Sequence, residues 1–190
     1  EGEMIYAIGD IHGQLKQLDH ALSLIEADGG PNAEIVFLGD YTDRGLESRG
    51  VIERLLEGKN NSKPWHFLKG NHDRMFSWYL KLQPIHDPHL FHGLHWLHPR
   101  MGGETTLLSY GIILDDTRRS GEIHAEARKS IPETHVNFLN SLDLIYRTPD
   151  LAFVHAGIRP GVPLDSQEEN DLLWIREGFI EDTTDHGPLI

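Results

Sequence analysis

Residues 4–13 read Met4-Ile5-Tyr6-Ala7-Ile8-Gly9-Asp10-Ile11-His12-Gly13, and this stretch decides the fold. Its first half is a short apolar run, the pattern of a buried strand. Its second half sets a carboxylate and an imidazole two residues apart, between glycines, where the strand ends. Neither side chain is core material. Both are good ligands for a metal, provided that others arrive from elsewhere in the chain.

Working outward, the chain alternates strand and helix. Residues 14–27 put Leu15, Leu18, Leu22 and Ile25 at helical spacing, and Gly29-Gly30-Pro31 stops that helix. Residues 34–38 read as a second buried strand. Val51, Ile52, Leu55 and Leu56 mark a second helix that ends near Gly58, and residues 65–68 form a third strand. Strands and helices of this length predict βαβ units with a parallel sheet. Residues 74–83 continue as a helix as far as Pro84. Residues 84–103, rich in His, Pro and Gly, read as a loop or small cap, and the cap-like insertion extends over about 84–130. A helix is expected from about 132 to 141, with Pro132 near its first turn. Residues 144–147 and 151–156 return to strand character around the turn Thr148-Pro149-Asp150, as an antiparallel hairpin. The expectation is therefore one α/β domain, residues 1–190, with central mixed β-sheet flanked by helices. Neither internal repeat nor low-complexity linker divides it.

Composition narrows the function. Thirty acidic residues against seventeen basic give a net charge of −13, the opposite of the basic footprint that nucleic-acid binding requires. No apolar stretch approaches the ~18–20 residues of a membrane span, and no signal-peptide pattern opens the chain, so a cytoplasmic protein is expected. The absence of cysteine excludes thiolate metal sites and cysteine nucleophiles. A protein this acidic needs a local positive site to hold an anion.

Such a site emerges at the strand ends. After residues 34–38 comes Gly39-Asp40-Tyr41-Thr42-Asp43-Arg44-Gly45; after 65–68 comes Lys69-Gly70-Asn71-His72-Asp73; after 151–154 comes His155-Ala156-Gly157. Each alone reads as a turn or a helix cap. With residues 9–13, an apolar strand runs four times into ligand-type residues beside a glycine. Strand C-terminal ends of an open α/β sheet converge on one crevice. These ends offer carboxylates, imidazoles and an amide oxygen. That mixture suits Mn²⁺, Fe or Zn²⁺ better than Ca²⁺, which takes oxygen alone.

The pattern GDIHG…GDYTDRG…GNHD…HAG resembles the phosphoprotein phosphatase branch of the calcineurin-like metallophosphoesterases, in the same order and over residues 9–157. The resemblance implies a calcineurin-like sandwich with two divalent ions, Mn²⁺ first among the choices. It implies that Asp10 and His12 bind one ion, that Asn71 and His155 bind the other, and that Asp40 bridges them. It also makes His72 a general acid held by Asp43, and Arg176, in Trp174-Ile175-Arg176, a second arginine clamp beside Arg44. The family usually ends its ligand set with a histidine in a GHT or GHQ segment. Here Gly187-Pro188-Leu189-Ile190 looks like the strand leading into that segment, which suggests a truncated C-terminal part. His186 precedes this strand and is not taken as the missing ligand.

Two such ions bring +4 against −2 from Asp10 and Asp40, so the site attracts phosphate despite the acidic chain. A hydroxide held between them can attack phosphorus in line. Arg44 can grip the phosphoryl oxygens with parallel hydrogen bonds. The expected function is hydrolysis of phosphate monoesters, as a Ser/Thr-type protein phosphatase of bacterial style acting on phosphorylated protein or a small phosphoester. A symmetrical diadenosine-tetraphosphate hydrolase is the alternative; such relatives share GNHD but tend to lack the aspartate matching Asp43. A non-catalytic phosphate-binding scaffold is the third reading. His86, His89, His92, His95 and His98 recur every third residue, a spacing that drifts around a helix. They read as part of a cap loop, in which Trp96 or Phe91 could touch a substrate.

Overall fold

The computed structural model describes residues 4–181. Three parallel strands, β1 (Ile5–Ile8), β2 (Glu34–Phe37) and β3 (Trp65–Phe67), lie side by side in that order. Ile8 pairs with Phe37, and Phe37 in turn with Phe67. The three strands thus finish level, and the segments that follow them start from one edge. Helix α1 (Leu15–Gly29) joins β1 to β2, and α2 (Ser48–Asn60) joins β2 to β3. These are the two βαβ units that the alternation of apolar runs predicts.

Side chains alternate across the central strand, as the pleat requires. Ile35 and Phe37 enter the main core with Leu18, Leu22, Val51, Ile52, Leu55, Phe76 and Phe138. Val36 points the other way, into a smaller cluster with Leu68 and Phe153. Both faces of β2 are therefore covered, which is why its sequence is apolar from Ile35 onward.

Helix α3 (Asn71–Tyr79) begins three residues before the expected position. Asp73 explains the difference: from N3 its carboxylate accepts the backbone N–H of Gly70, the N-cap, and so opens the helix on Asn71. Residues 84–102 contain neither helix nor strand, as expected, but α4 (Gly103–Ser109) and α5 (Ser120–Ser130) follow within the supposed insertion. Helix α4 packs against α2. Helix α6 (Glu133–Asn140) starts directly after Pro132 and packs against α3. The hairpin forms as β4 (Tyr146–Arg147) and β5 (Ala152–Phe153), antiparallel and shorter than expected. A parallel bridge between Leu68 and Asp143 ties its approach to the end of β3. The mixed pairing is thus divided between two short sheets. A single 3₁₀ turn and α7 (Glu169–Trp174) complete the described residues. Among these, no helix is long and apolar enough to cross a membrane.

Candidate metal centre

The segments after β1 and β2 are sewn together by backbone hydrogen bonds. The N–H groups of Ile11 and His12 both donate to Asp40 O, Gly13 N–H donates to Tyr41 O, and Gly45 N–H donates to His12 O. This stitching holds His12, Asp40, Asp43 and Arg44 at positive φ, from 44° to 73°. Non-glycine residues adopt that region at some cost, and such residues concentrate where a site needs a fixed geometry.

Asp40 lies at the middle. Its Oδ2 stands 3.6 Å from His12 Nε2 and 3.7 Å from His155 Nε2, and Asp10 Oδ2 is 3.9 Å from His12 Nε2. Asn71 Oδ1 is 3.0 Å from His155 Nε2. The five expected ligands therefore do converge. Asp10 sits on the exposed rim, with its side chain 56% accessible, while the side chains of Asp40 and His155 are closed in at 5% and 8%.

Both imidazoles are turned the same way. His12 Nδ1–H donates to Thr42 O and His155 Nδ1–H to Leu38 O, each at 2.7 Å. In the neutral ring this leaves each Nε2 with a bare lone pair aimed at Asp40, the arrangement that metal-binding histidines use. The contact between His155 Nε2 and Asn71 Oδ1 then sets two lone pairs against each other at 3.0 Å. A shared cation relieves that repulsion. Bonds of about 2.0–2.2 Å to one ion place neighbouring ligand atoms roughly 3.0–3.5 Å apart. The donor types suit divalent ions, and Asn71 and His155 stand at the spacing of two ligands of one ion, while the 3.6–3.9 Å separations among Asp10, His12, Asp40 and His155 are somewhat wider.

Asp40 is itself held from behind by Asp73. The Asp73 carboxylate accepts the N–H groups of Asp40, Tyr41 and Gly70 at 2.7, 3.0 and 2.8 Å. Burial pushes its carboxyl well up from the usual range and the Asp40 charge adds to this, while the three N–H donors oppose it. Asp40 Oδ1 is taken by His72 N–H at 3.0 Å, which leaves Oδ2 to face the two histidines. Glycine is required at position 70, where a Cβ would stand 2.0 Å from Asp40 Oδ1. At Gly39, φ of +102° adds a backbone reason, and a Cβ would meet Gly70 N at 2.4 Å. In the sequence Asp73 stands out only as the last residue of the GNHD pattern. Its position three residues after Gly70, at N3 of a helix, was the available signal.

Beside this centre lies a second unit. His72 Nδ1 is 2.6 Å from Asp43 Oδ2, inside the protein. Trp96 Nε1–H donates to the same oxygen at 2.8 Å, and Thr106 Oγ1–H donates to Oδ1 at 2.7 Å. Desolvation draws the His72 pKa down, but the hydrogen bond to Asp43 and the charges of Asp40 and Asp43 outweigh it, so the net shift is upward. His72 Nε2, the nitrogen not bonded to Asp43, meets Arg44 Nη2 at 3.4 Å. This dyad can offer a proton at Nε2 and hold the imidazolium that supplies it.

Other expectations meet a different outcome. Trp96 is turned inward: it is 6% exposed, stacked on Phe76, with its indole N–H donated to Asp43. Its role was hidden because Trp96 and Asp43 are far apart in sequence. Phe91 is 81% exposed. Arg44 is exposed next to His72, as expected. Arg176 is exposed on a separate cleft with His89, Asn170 and Trp174, lined by none of the five ligand residues. Within the histidine run, His89 stacks on Trp174 and His98 Nδ1 accepts Arg100 N–H. Among the described residues, none of the run joins a cluster of potential metal ligands. His186 and residues 187–190 lie outside the described residues.

Comparison with known proteins agrees with this geometry. The family model for calcineurin-like phosphoesterases matches residues 4–188. A crystal structure of a candidate diadenosine tetraphosphatase is 25% identical, covering 96% of this chain and 66% of its own, with a TM-score of 0.57. A protein serine/threonine phosphatase from Saccharomyces cerevisiae is 18% identical, covering 90% of this chain and 48% of its own, with a TM-score of 0.48. The chain thus spans between about half and two thirds of the length of these proteins. With a match that runs through every strand end of the centre, the chain belongs to the calcineurin-like phosphoesterase family.

Proposed function

We propose that this protein hydrolyses phosphate monoesters at the Asp40-centred site, as a metal-dependent phosphatase of the Ser/Thr type. The observation that carries this reading is the buried His72–Asp43 pair beside the convergent Nε2 atoms of His12 and His155. Asp10, His12, Asp40, Asn71 and His155 would hold two divalent ions, with Mn²⁺ the first choice and Fe or Zn²⁺ the alternatives. When bound, these ions supply Lewis acidity toward phosphoryl oxygens and lower the pKa of water.

The chain's own residues do the rest. Arg44 has an exposed guanidinium beside His72 and can bind two phosphoryl oxygens at once. It orients the phosphorus and neutralises charge that grows on the equatorial oxygens. His72 donates a proton from Nε2 to the departing alkoxide. Asp43 keeps the imidazole in the tautomer that places its other proton on Nδ1, and it stabilises the charged ring. Trp96 and Thr106 fix Asp43 in turn. A serine or threonine alkoxide is a poor leaving group and gains most from such an acid.

A second reading is symmetrical cleavage of diadenosine tetraphosphate, favoured by the likeness to the candidate diadenosine tetraphosphatase. There the leaving group is a nucleoside diphosphate, which departs without a proton. The dyad argues for the first reading. Assay with Mn²⁺ against a phosphoserine peptide, p-nitrophenyl phosphate and diadenosine tetraphosphate separates the two. Turnover of the peptide is expected. Cleavage of the dinucleotide alone reverses the order, and no turnover with Mn²⁺, Fe²⁺ or Zn²⁺ leaves a phosphate-binding scaffold.

A further inference from the structure

The candidate site is assembled from separate segments, and one buried ion pair joins three of them. Arg74 is 2% exposed and lies on α3, in the turn after Asn71 and His72. Its Nε and Nη2 donate to Asp87 Oδ2 at 3.1 and 2.9 Å. Its Nη1 donates to Asn170 Oδ1 at 2.8 Å, and its guanidinium lies over Trp78. Asp87 is also buried, in the 84–102 loop that carries Trp96. It accepts the N–H of His89 at 3.0 Å and the indole N–H of Trp174 at 3.3 Å. Trp174 closes α7, two residues before Arg176, and His89 stacks on its ring.

We propose that the Arg74–Asp87 pair is a positioning element that holds α7, and through it Arg176, in register with the His72 helix. A buried charge pair gives little net stability against an apolar replacement, because desolvation offsets its attraction. What it supplies is direction. Nε and Nη2 are committed to Asp87 and Nη1 to Asn170, so the guanidinium fork fixes the loop and α7 at defined angles to α3. Lys69, just before Gly70, adds a weaker link through Glu169 at 3.6 Å. The far side of α7 is held by Ala156 N–H, which donates to Leu172 O beside His155. The first turn of α7 and Trp174 depend on Arg74 and Asp87. Arg176 follows Trp174 without a helical turn between them, so its placement depends on the same two residues. This assignment goes beyond the proposed function and rests, for Arg176, on the clamp role that the family resemblance implies.

The test uses the Mn²⁺-loaded protein with p-nitrophenyl phosphate, together with amide hydrogen exchange over residues 169–176. Arg74→Met/Asp87→Leu removes both charges at once and leaves no unpaired one. Asn170→Ala, at an exposed position, cuts only the link to α7. The double variant is expected to raise KM roughly tenfold with kcat changed less than about threefold, the split that marks lost substrate binding. Adding Arg176→Ala raises KM no further, since both changes act on one interaction. Asn170→Ala acts in the same direction and less strongly. Exchange over 169–176 quickens in both. A wild-type KM, full additivity with Arg176→Ala, or unchanged exchange overturns the proposal. Should the double variant fail to fold, Asn170→Ala decides alone. Should the wild type turn over no substrate with any metal, the proposed function fails, and exchange still decides whether Arg74 and Asp87 hold α7.

Discussion

His72 Nδ1 and Asp43 Oδ2 stand 2.6 Å apart, with side-chain exposures of 3% and 0%. A short contact sealed from water keeps the imidazole proton on Nδ1 and raises the affinity of the ring for a second one. Glycines 39 and 70 and the Asp73 carboxylate fix Asp40 beside it. The acid and the centre of the ligand set are thus built as one block.

His72→Asn keeps a polar side chain and removes the proton. Turnover of an alkyl or phosphoserine monoester should fall by about 10²–10⁴-fold, the usual worth of a general acid. p-Nitrophenyl phosphate, whose leaving group needs no proton, should lose much less. Steady-state kcat on both substrates checks this. Equal losses would remove the acid role from His72 and leave it a structural residue.

Trp96→Phe tests whether the cap loop supports catalysis from behind. Phenylalanine retains the stack on Phe76 and drops the donor to Asp43 Oδ2. A hydrogen bond to a charged group is worth about 1.5–3 kcal/mol, so stability should fall by roughly that amount. The kcat for an alkyl monoester should drop about 3–10-fold, with KM little changed, if the lost interaction serves the transition state alone. Thermal melts and steady-state kinetics give both numbers. A variant that melts lower at full kcat would confine Trp96 to packing.

The convergence of Asp10, His12, Asp40, Asn71 and His155 was legible because each closely follows an apolar run in sequence. Asp10, Asp40 and Asn71 needed only the rule that parallel strand ends share an edge. The supporting residues were not legible for the same reason inverted. Trp96 and Thr106 reach Asp43 from 53 and 63 positions away, and nothing in local periodicity points across such a gap. Arg74 and Asp87 are closer in sequence, but Asp87 belongs to a loop without period, where pattern carries no information. The start of α3 was misplaced because Asn71-His72-Asp73 was read for its chemistry. Those residues serve the site and form the first helical turn together.

Gly70→Ala should damage the metal centre without touching a ligand. The added Cβ would stand 2.0 Å from Asp40 Oδ1 and 2.4 Å from Asp40 N, so the Asp40 carboxylate must move. Disturbing the groups that orient a ligand costs about 10–100-fold in metal affinity. Titration calorimetry with Mn²⁺ on the wild type and the variant measures that loss. Equal affinities would mean that Asp40 does not hold the ion, since no displacement of that size spares a bond to its oxygen.

The pH dependence of folding has a contributor far from the metal centre. His135 is 4% exposed, and the pair between its Nδ1 and the Tyr110 hydroxyl measures 2.8 Å. Desolvation lowers its pKa below the model-peptide value of 6.5; Arg49 adds to this and Glu53 opposes it. Between the lowered value and 6.5 the unfolded chain binds the proton and the folded one does not. By linkage, stability from this group is fully present above pH 6.5 and is lost as pH falls through and below it. His135→Gln removes the titration and retains a polar partner for Tyr110. Melting curves from pH 8 to pH 5 should therefore fall more steeply for the wild type than for the variant. Parallel curves would show that His135 takes its proton in the folded protein as readily as in the unfolded one, and that the Tyr110 pair does not hold it neutral.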